Sequence, residues 1–143
     1  MADNLRLHYE ISGDDYTRAG EASAQVKSVL RKLGLSSAVI RRVAVAMYEG
    51  EINMVIHADG GAIDVEIDSE GISIVLADTG PGIEDIDLAM MEGYSTASES
   101  VRSMGFGAGM GLSNMKKQSD FMKIDTELGV GTTVYIKILL GDG

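Results

Sequence analysis

Leu5-Arg-Leu-His-Tyr-Glu-Ile11 alternates apolar and polar side chains, and a period of two sorts them onto the two faces of a strand. His8 falls on the polar face, and the Ser12-Gly13-Asp14-Asp15 turn closes the segment. From Tyr16 to Leu33 the period lengthens to that of a helix. Ala19, Ala22, Val26 and Leu30 share its apolar face, and Gly34 after Arg31 and Lys32 supplies a C-terminal stop. Ser36 or Ser37 caps a second helix that runs through Val39, Ile40, Val43, Ala44 and Met47 to about Ala58. Then the period of two returns. Ala62 to Asp68 and Gly71 to Ala77, separated by Ser69-Glu70, read as a hairpin. After a loop-rich middle come a helix from Gly109 to about Asp120 and strands Phe121 to Glu127 and Thr132 to Leu140, around a turn at Leu128 to Gly131. The order β-α-α-β-β-loop-α-β-β predicts an α+β fold, a two-layer sandwich whose antiparallel or mixed sheet is covered on one face by helices.

Composition narrows this picture. With 143 residues, 45% of them apolar, the chain suits a single domain, 1–143, with a real core. A net charge of −10 and a pI near 4.5 argue against broad binding to nucleic acid or to an anionic membrane. No apolar run is long enough to span a bilayer, and MADNLRLHYE lacks the order of a secretion signal, so a cytoplasmic protein is expected. The chain has no cysteine, which rules out disulfides and thiolate metal sites, and two histidines make a poor zinc site.

Four clusters carry candidate chemistry. In the second helix Glu49 and Asn53 are four residues apart, so a carboxylate and a carboxamide share one face. Glu51 points elsewhere and is expected in solvent. Asp78-Thr-Gly-Pro-Gly82 follows an apolar strand; Gly-Pro-Gly is an ordinary turn, but an aspartate ending a buried strand needs a donor, and the exocyclic amine of a base would serve. Gly105-Phe-Gly-Ala-Gly-Met-Gly111 precedes a helix whose first amides can face an anion, phosphate being the usual guest. It fits neither the P-loop nor the dinucleotide fingerprint. Gly129-Val-Gly-Thr132-Thr133 turns the last hairpin and says little alone.

In this order and spacing the four resemble the Bergerat-fold ATPases, the superfamily of gyrase, Hsp90, histidine kinases and MutL. Glu49 to Asn53 matches the family's Glu-x-x-x-Asn helix motif; Asp78, Gly80 and Gly82 match its Asp-x-Gly-x-Gly loop; Gly105 to Gly111 match its second glycine box. The resemblance extends over essentially the whole chain and is nearest to the small bacterial anti-sigma-factor serine kinases and the stressosome switch kinase.

That resemblance implies ATP and Mg²⁺ as cofactors, with Asn53 holding the metal and Glu49 acting as general base. Asp78 would accept from the adenine amine, Gly82 would allow close approach, and Thr132 would assist through its hydroxyl and a bridging water. Amides of Gly107, Gly109 and Gly111 would hold the phosphates beneath a mobile lid at about 91–109. A basic residue that small anti-sigma kinases often place before the second glycine box is replaced here by Gly107-Ala108, with Arg102 or Lys116 as substitutes. Gly50 inside the helix lowers helix propensity by roughly 1 kcal/mol against alanine. The implied function is transfer of the γ-phosphoryl group to a STAS-type antagonist protein. The alternative is a nucleotide-gated module that sequesters a sigma factor or another regulator. The apolar face of the first helix suits the core, with a homodimer as its other use.

Overall fold

The computed structural model describes residues 4–13, 19–57, 60–80 and 111–140. The elements are β1 (Leu5–Ser12), α1 (Glu21–Lys32), α2 (Ser37–His57), β2 (Gly60–Ile67), β3 (Gly71–Asp78), α3 (Gly111–Gln118), β4 (Phe121–Glu127) and β5 (Gly131–Leu139). They follow the predicted order. The strands form one sheet in the order β1-β2-β3-β5-β4, and every neighbouring pair is antiparallel.

Burial explains why β5 rather than β4 lies beside β3. Ile72, Ile74 and Leu76 of β3 and Val134, Ile136 and Ile138 of β5 are all buried, so these two strands belong in the middle. The flanking strands β1 and β4 alternate exposed with half-buried residues and carry charge on the exposed set, which suits edges. The register aligns Ile63, Leu76, Val134 and Ile124 as one apolar row across β2, β3, β5 and β4. The opposite pleat aligns His8, Asp64, Val75, Tyr135 and Lys123. On that face Arg6 pairs with Glu66 at 2.8 Å and Lys123 lies 5.9 Å from the Tyr135 ring centroid.

The helices cover the apolar row. α2 packs against both α1 and α3. Ala22, Val26 and Leu30 of α1 are buried in the core, so the apolar face of α1 is used within the chain. Helix α1 is shorter than its expected start at Tyr16: residues 14–18 lie outside the described set, and Ala19 and Gly20 form a turn ahead of Glu21. Gly20 is left-handed (φ 93°) and no side chain of its own segment caps the helix. At the other end Gly34 takes the expected left-handed stop (φ 79°). Ser36 caps α2 by accepting the Val39 N–H at 3.2 Å.

At Gly50, α2 comes close to the sheet. A Cβ there would overlap the Leu76 side chain and sit 3.2 Å from the Met115 methyl. The glycine in mid-helix is therefore a packing requirement: it lets α2, β3 and α3 meet at one spot.

Candidate functional site

That contact gathers the candidate residues. Glu49 and Asn53 flank Gly50 on α2, Asn114 precedes Met115 on α3, and Asp78 lies two residues beyond Leu76 on the same face of β3, roughly 7 Å further along. Glu49 is half-buried, and its Oε2 accepts a 3.4 Å hydrogen bond from Asn114 Nδ2. Asn53 is also half-buried, and among the described residues its carboxamide has no hydrogen-bond partner. A hard amide oxygen left open beside a carboxylate fits Mg²⁺ chemistry.

Glu51 contradicts its expected solvation. It is 2% exposed, and its carboxylate accepts from Ala22 N–H (3.1 Å), Ser23 N–H (3.0 Å) and Ser23 Oγ–H (2.7 Å). These groups open α1, where unpaired amides and the helix dipole favour an anion. Glu51 is thus the N-terminal cap of α1, supplied from another helix. The missing local cap was the signal a sequence reader could have followed.

At the end of the sheet the polar residues form a row of their own. Asp78 Oδ1 accepts the Thr132 N–H at 2.8 Å, and Thr132 Oγ1 lies 2.9 Å from Thr126 Oγ1 on β4. A Cβ on Gly131 would strike the Asp78 carbonyl oxygen, so only glycine lets β5 come this close. The left-handed φ of 157° at Gly131 adds to that demand. Gly80 N–H donates to the Val130 carbonyl at 3.1 Å, tying the Asp-x-Gly segment to the β4–β5 turn. Burial raises the Asp78 pKa above the usual carboxylate value, and the Thr132 N–H opposes that shift in part. A half-buried acceptor that has lost water and has no ion-pair partner among the described residues suits a ligand donor.

Of the other predicted residues, Gly111 is the first residue of α3. Gly82, Gly105, Gly107 and Gly109, the lid at about 91–109 and Arg102 all lie outside the described residues. Lys116 is exposed in the last turn of α3, away from Gly111. Asn114 and Thr126 were not foreseen, because each gains its meaning from a partner on another element. A cavity of about 240 Å³ lined by Tyr9, Glu10, Ala22, Gln25 and Glu51, among others, includes none of the predicted site residues. On the outer sheet face His8 bridges Asp64 (2.6 Å) and Glu10, and both carboxylates, Asp64 first, raise its pKa.

Comparison with known proteins bears on this geometry. Residues 40–142 match the model of the histidine kinase-, DNA gyrase B- and HSP90-like ATPase family. The chain is 30% identical over 112 residues to the serine/threonine-protein kinase RsbT of Bacillus subtilis, covering 76% of this chain and 78% of that protein. It is 35% identical over 104 residues to the anti-sigma F factor of Clostridium beijerinckii, covering 68% and 69% of the two chains. The anti-sigma F factor of Shouchella clausii matches at 27% over 143 residues, or 96% of this chain and 92% of that one.

Proposed function

The chain belongs to the histidine kinase-, DNA gyrase B- and HSP90-like ATPase family, and from that premise we propose that it is an ATP-dependent protein serine/threonine kinase of the anti-sigma regulatory type. Its substrate is a STAS-type antagonist protein of a partner-switching pathway, and its setting is the cytoplasm, where ATP is plentiful. Residues 1–143 act as one ATP-binding domain, with the lid at about 91–109.

The observation that carries this reading is the open Glu49/Asn53 face of α2, held by the Gly50 contact above the same end of the sheet as Asp78 and Thr132. Asp78 accepts from the adenine amine. Asn53 holds Mg²⁺ through its amide oxygen, and the ion, when bound, offsets the charge of the triphosphate. Gly111 at the start of α3, with Gly105, Gly107 and Gly109 before it, offers amides to the phosphates; Gly80 and Gly82 shape the base-binding loop. Glu49 takes the proton of the substrate serine or threonine hydroxyl as its oxygen bonds to the γ-phosphorus and the bond to the ADP oxygen breaks. Positioning supplies most of the catalysis, which a small domain can achieve once its substrate docks.

A second reading draws on the relatives named anti-sigma F factor. Here the ATP-bound domain sequesters a sigma factor and transfer is secondary. Calorimetry with Mg-ATP on the wild type and Asn53→Ala, followed by labelled ATP and candidate STAS proteins, separates the two. The expected result is wild-type binding weakened about 100-fold by the substitution, roughly 2.7 kcal/mol, and label on a STAS serine or threonine. Binding without transfer selects the sequestering module, and a wild type that binds no ATP overturns both.

A further inference from the structure

Charge is divided unevenly along this chain. Residues 22–48 and 111–119 hold seven of its twelve lysines and arginines and none of its 22 aspartates and glutamates. The fold brings most of these cations to one end of the helical layer. Glu51, late in α2, meets Ala22 and Ser23 at the start of α1, so the two helices run antiparallel and the turn at 33–36 lies at their far end. Glu49 meets Asn114, while Arg42 donates to the Gln118 carbonyl (3.0 Å) and the Asp120 carboxylate (3.1 Å), so α3 also runs against α2. The last turns of α1 and α3 therefore flank the first turns of α2. Arg31, Lys32, Arg41, Lys116 and Lys117 are exposed there, and all but Lys117 have no ion pair among the described residues. Helix dipoles favour the cations that end α1 and α3. They do not account for Arg41, near the start of α2, whose first turn has no acidic residue. Leu33, in the turn between α1 and α2, is 50% exposed.

We propose that this end of the helical layer is a docking surface for an acidic protein segment, with Leu33 as its apolar anchor and the cations as its rim. Carboxylates on the partner complement the cations, and an apolar contact ringed by charge is the usual anatomy of a protein interface. Nucleic acid fits less well. It has no use for an exposed leucine, and its charges run on past the patch along a chain whose net charge is −10. A second copy of the chain brings the same net charge, and a contact between two unlike surfaces of one chain does not close on itself. Docking here leaves the nucleotide site open. Arg41 and Glu49 are eight positions apart on α2, roughly 12 Å, and Gly111 is at the opposite end of α3 from Lys116. A protein held at this end and a nucleotide held at Glu49, Asn53 and Asp78 do not compete.

The test is fluorescence anisotropy on the whole chain at physiological salt with two synthetic peptides of equal charge. One is glutamate-rich and carries leucines; the other has serine at each leucine position. Wild type should bind the leucine peptide about tenfold more tightly than the serine peptide. Leu33→Ser should remove that gap and leave the serine peptide unaffected. Arg31→Glu combined with Arg41→Glu should weaken both peptides about tenfold or more, and added salt should do the same to wild type. Mg-ATP affinity should stay at the wild-type value in both variants. Absence of peptide binding by wild type, a gap that survives Leu33→Ser, or binding that survives the charge reversal overturns the proposal. Tighter binding of duplex DNA than of the leucine peptide overturns it in favour of nucleic acid. Light scattering that shows assembly of the chain with itself, abolished by the charge reversal, overturns it in favour of a second copy. If the charge-reversed variant does not fold, the Leu33→Ser comparison decides alone. A wild type that binds peptide but no ATP overturns the kinase reading and leaves this one standing.

Discussion

On the side of α2 turned toward α1, the Glu51 carboxylate accepts three hydrogen bonds between 2.7 and 3.1 Å and is almost fully buried. On the side that meets α3, Glu49 accepts one bond at 3.4 Å, and Asn53 has no partner among the described residues. The two glutamates are two residues apart on the same helix. Their settings differ because the protein satisfies one carboxylate with three close donors and gives the other a single long one. A satisfied buried carboxylate is a structural part; a poorly satisfied one at a junction of elements is free to take a proton or share a metal ion.

The largest effect that would sharpen this contrast is Glu49→Gln. Phosphoryl transfer should fall by about 10²–10⁴-fold while Mg-ATP affinity stays near wild type, as single-turnover kinetics and calorimetry would show. If affinity and rate fall together, Glu49 is holding ligand and not acting as the base. Next comes Glu51→Ala, expected to destabilise the fold by about 3 kcal/mol in urea unfolding, because it strips acceptors from buried amides at the start of α1. The fraction that remains folded should bind ATP normally. A loss of binding without a loss of stability would erase the distinction between the two faces.

Asp78→Asn gives the smallest and most informative change. The asparagine oxygen can still accept the Thr132 N–H, but its amide group then meets the adenine amine donor to donor, and ATP affinity should fall on the order of 10–100-fold. Stability should move the other way. Because burial raises the Asp78 pKa, the native chain holds this proton more tightly than the unfolded chain does. Its contribution is therefore fully present below the ordinary value of 3.8 and lost as pH rises through the raised value. The variant should melt above wild type at neutral pH, and the gap should narrow toward pH 4. Equal melting at both pH values would remove desolvation from the account of Asp78.

Much of the sheet was legible because its strands alternate without interruption: β2, β3 and β4 begin and end within two residues of their expected limits. Gly34 and Ser36 were legible because each acts within a few residues of itself, Gly34 through its left-handed backbone and Ser36 through a hydroxyl that accepts the Val39 N–H. Asp78 was readable as a charged residue at the end of an apolar strand. Glu51 was not, because spacing along a helix gives a direction but does not say which amides wait there. Gly50 was read as a loss of helix propensity, whereas its reason is the Leu76 side chain, 26 positions away in sequence. Thr126 carries no local signal at all; only the pairing of β4 with β5 puts its hydroxyl beside that of Thr132.

The polar row at the sheet end also bears on how the chain folds and how long it lasts. Asp78 and Thr132 are 54 residues apart, so the loop between them must close and β3 must zip onto β5 before the row exists. A nucleotide held by that row binds the completed sheet and has no comparable grip on a chain whose last hairpin has come away. At a hundred times its dissociation constant it adds about 2.7 kcal/mol against any opening that parts the two strands. A nucleotide bound there would thus slow proteolysis of the β4–β5 hairpin, tying the lifetime of the chain to the supply of that nucleotide.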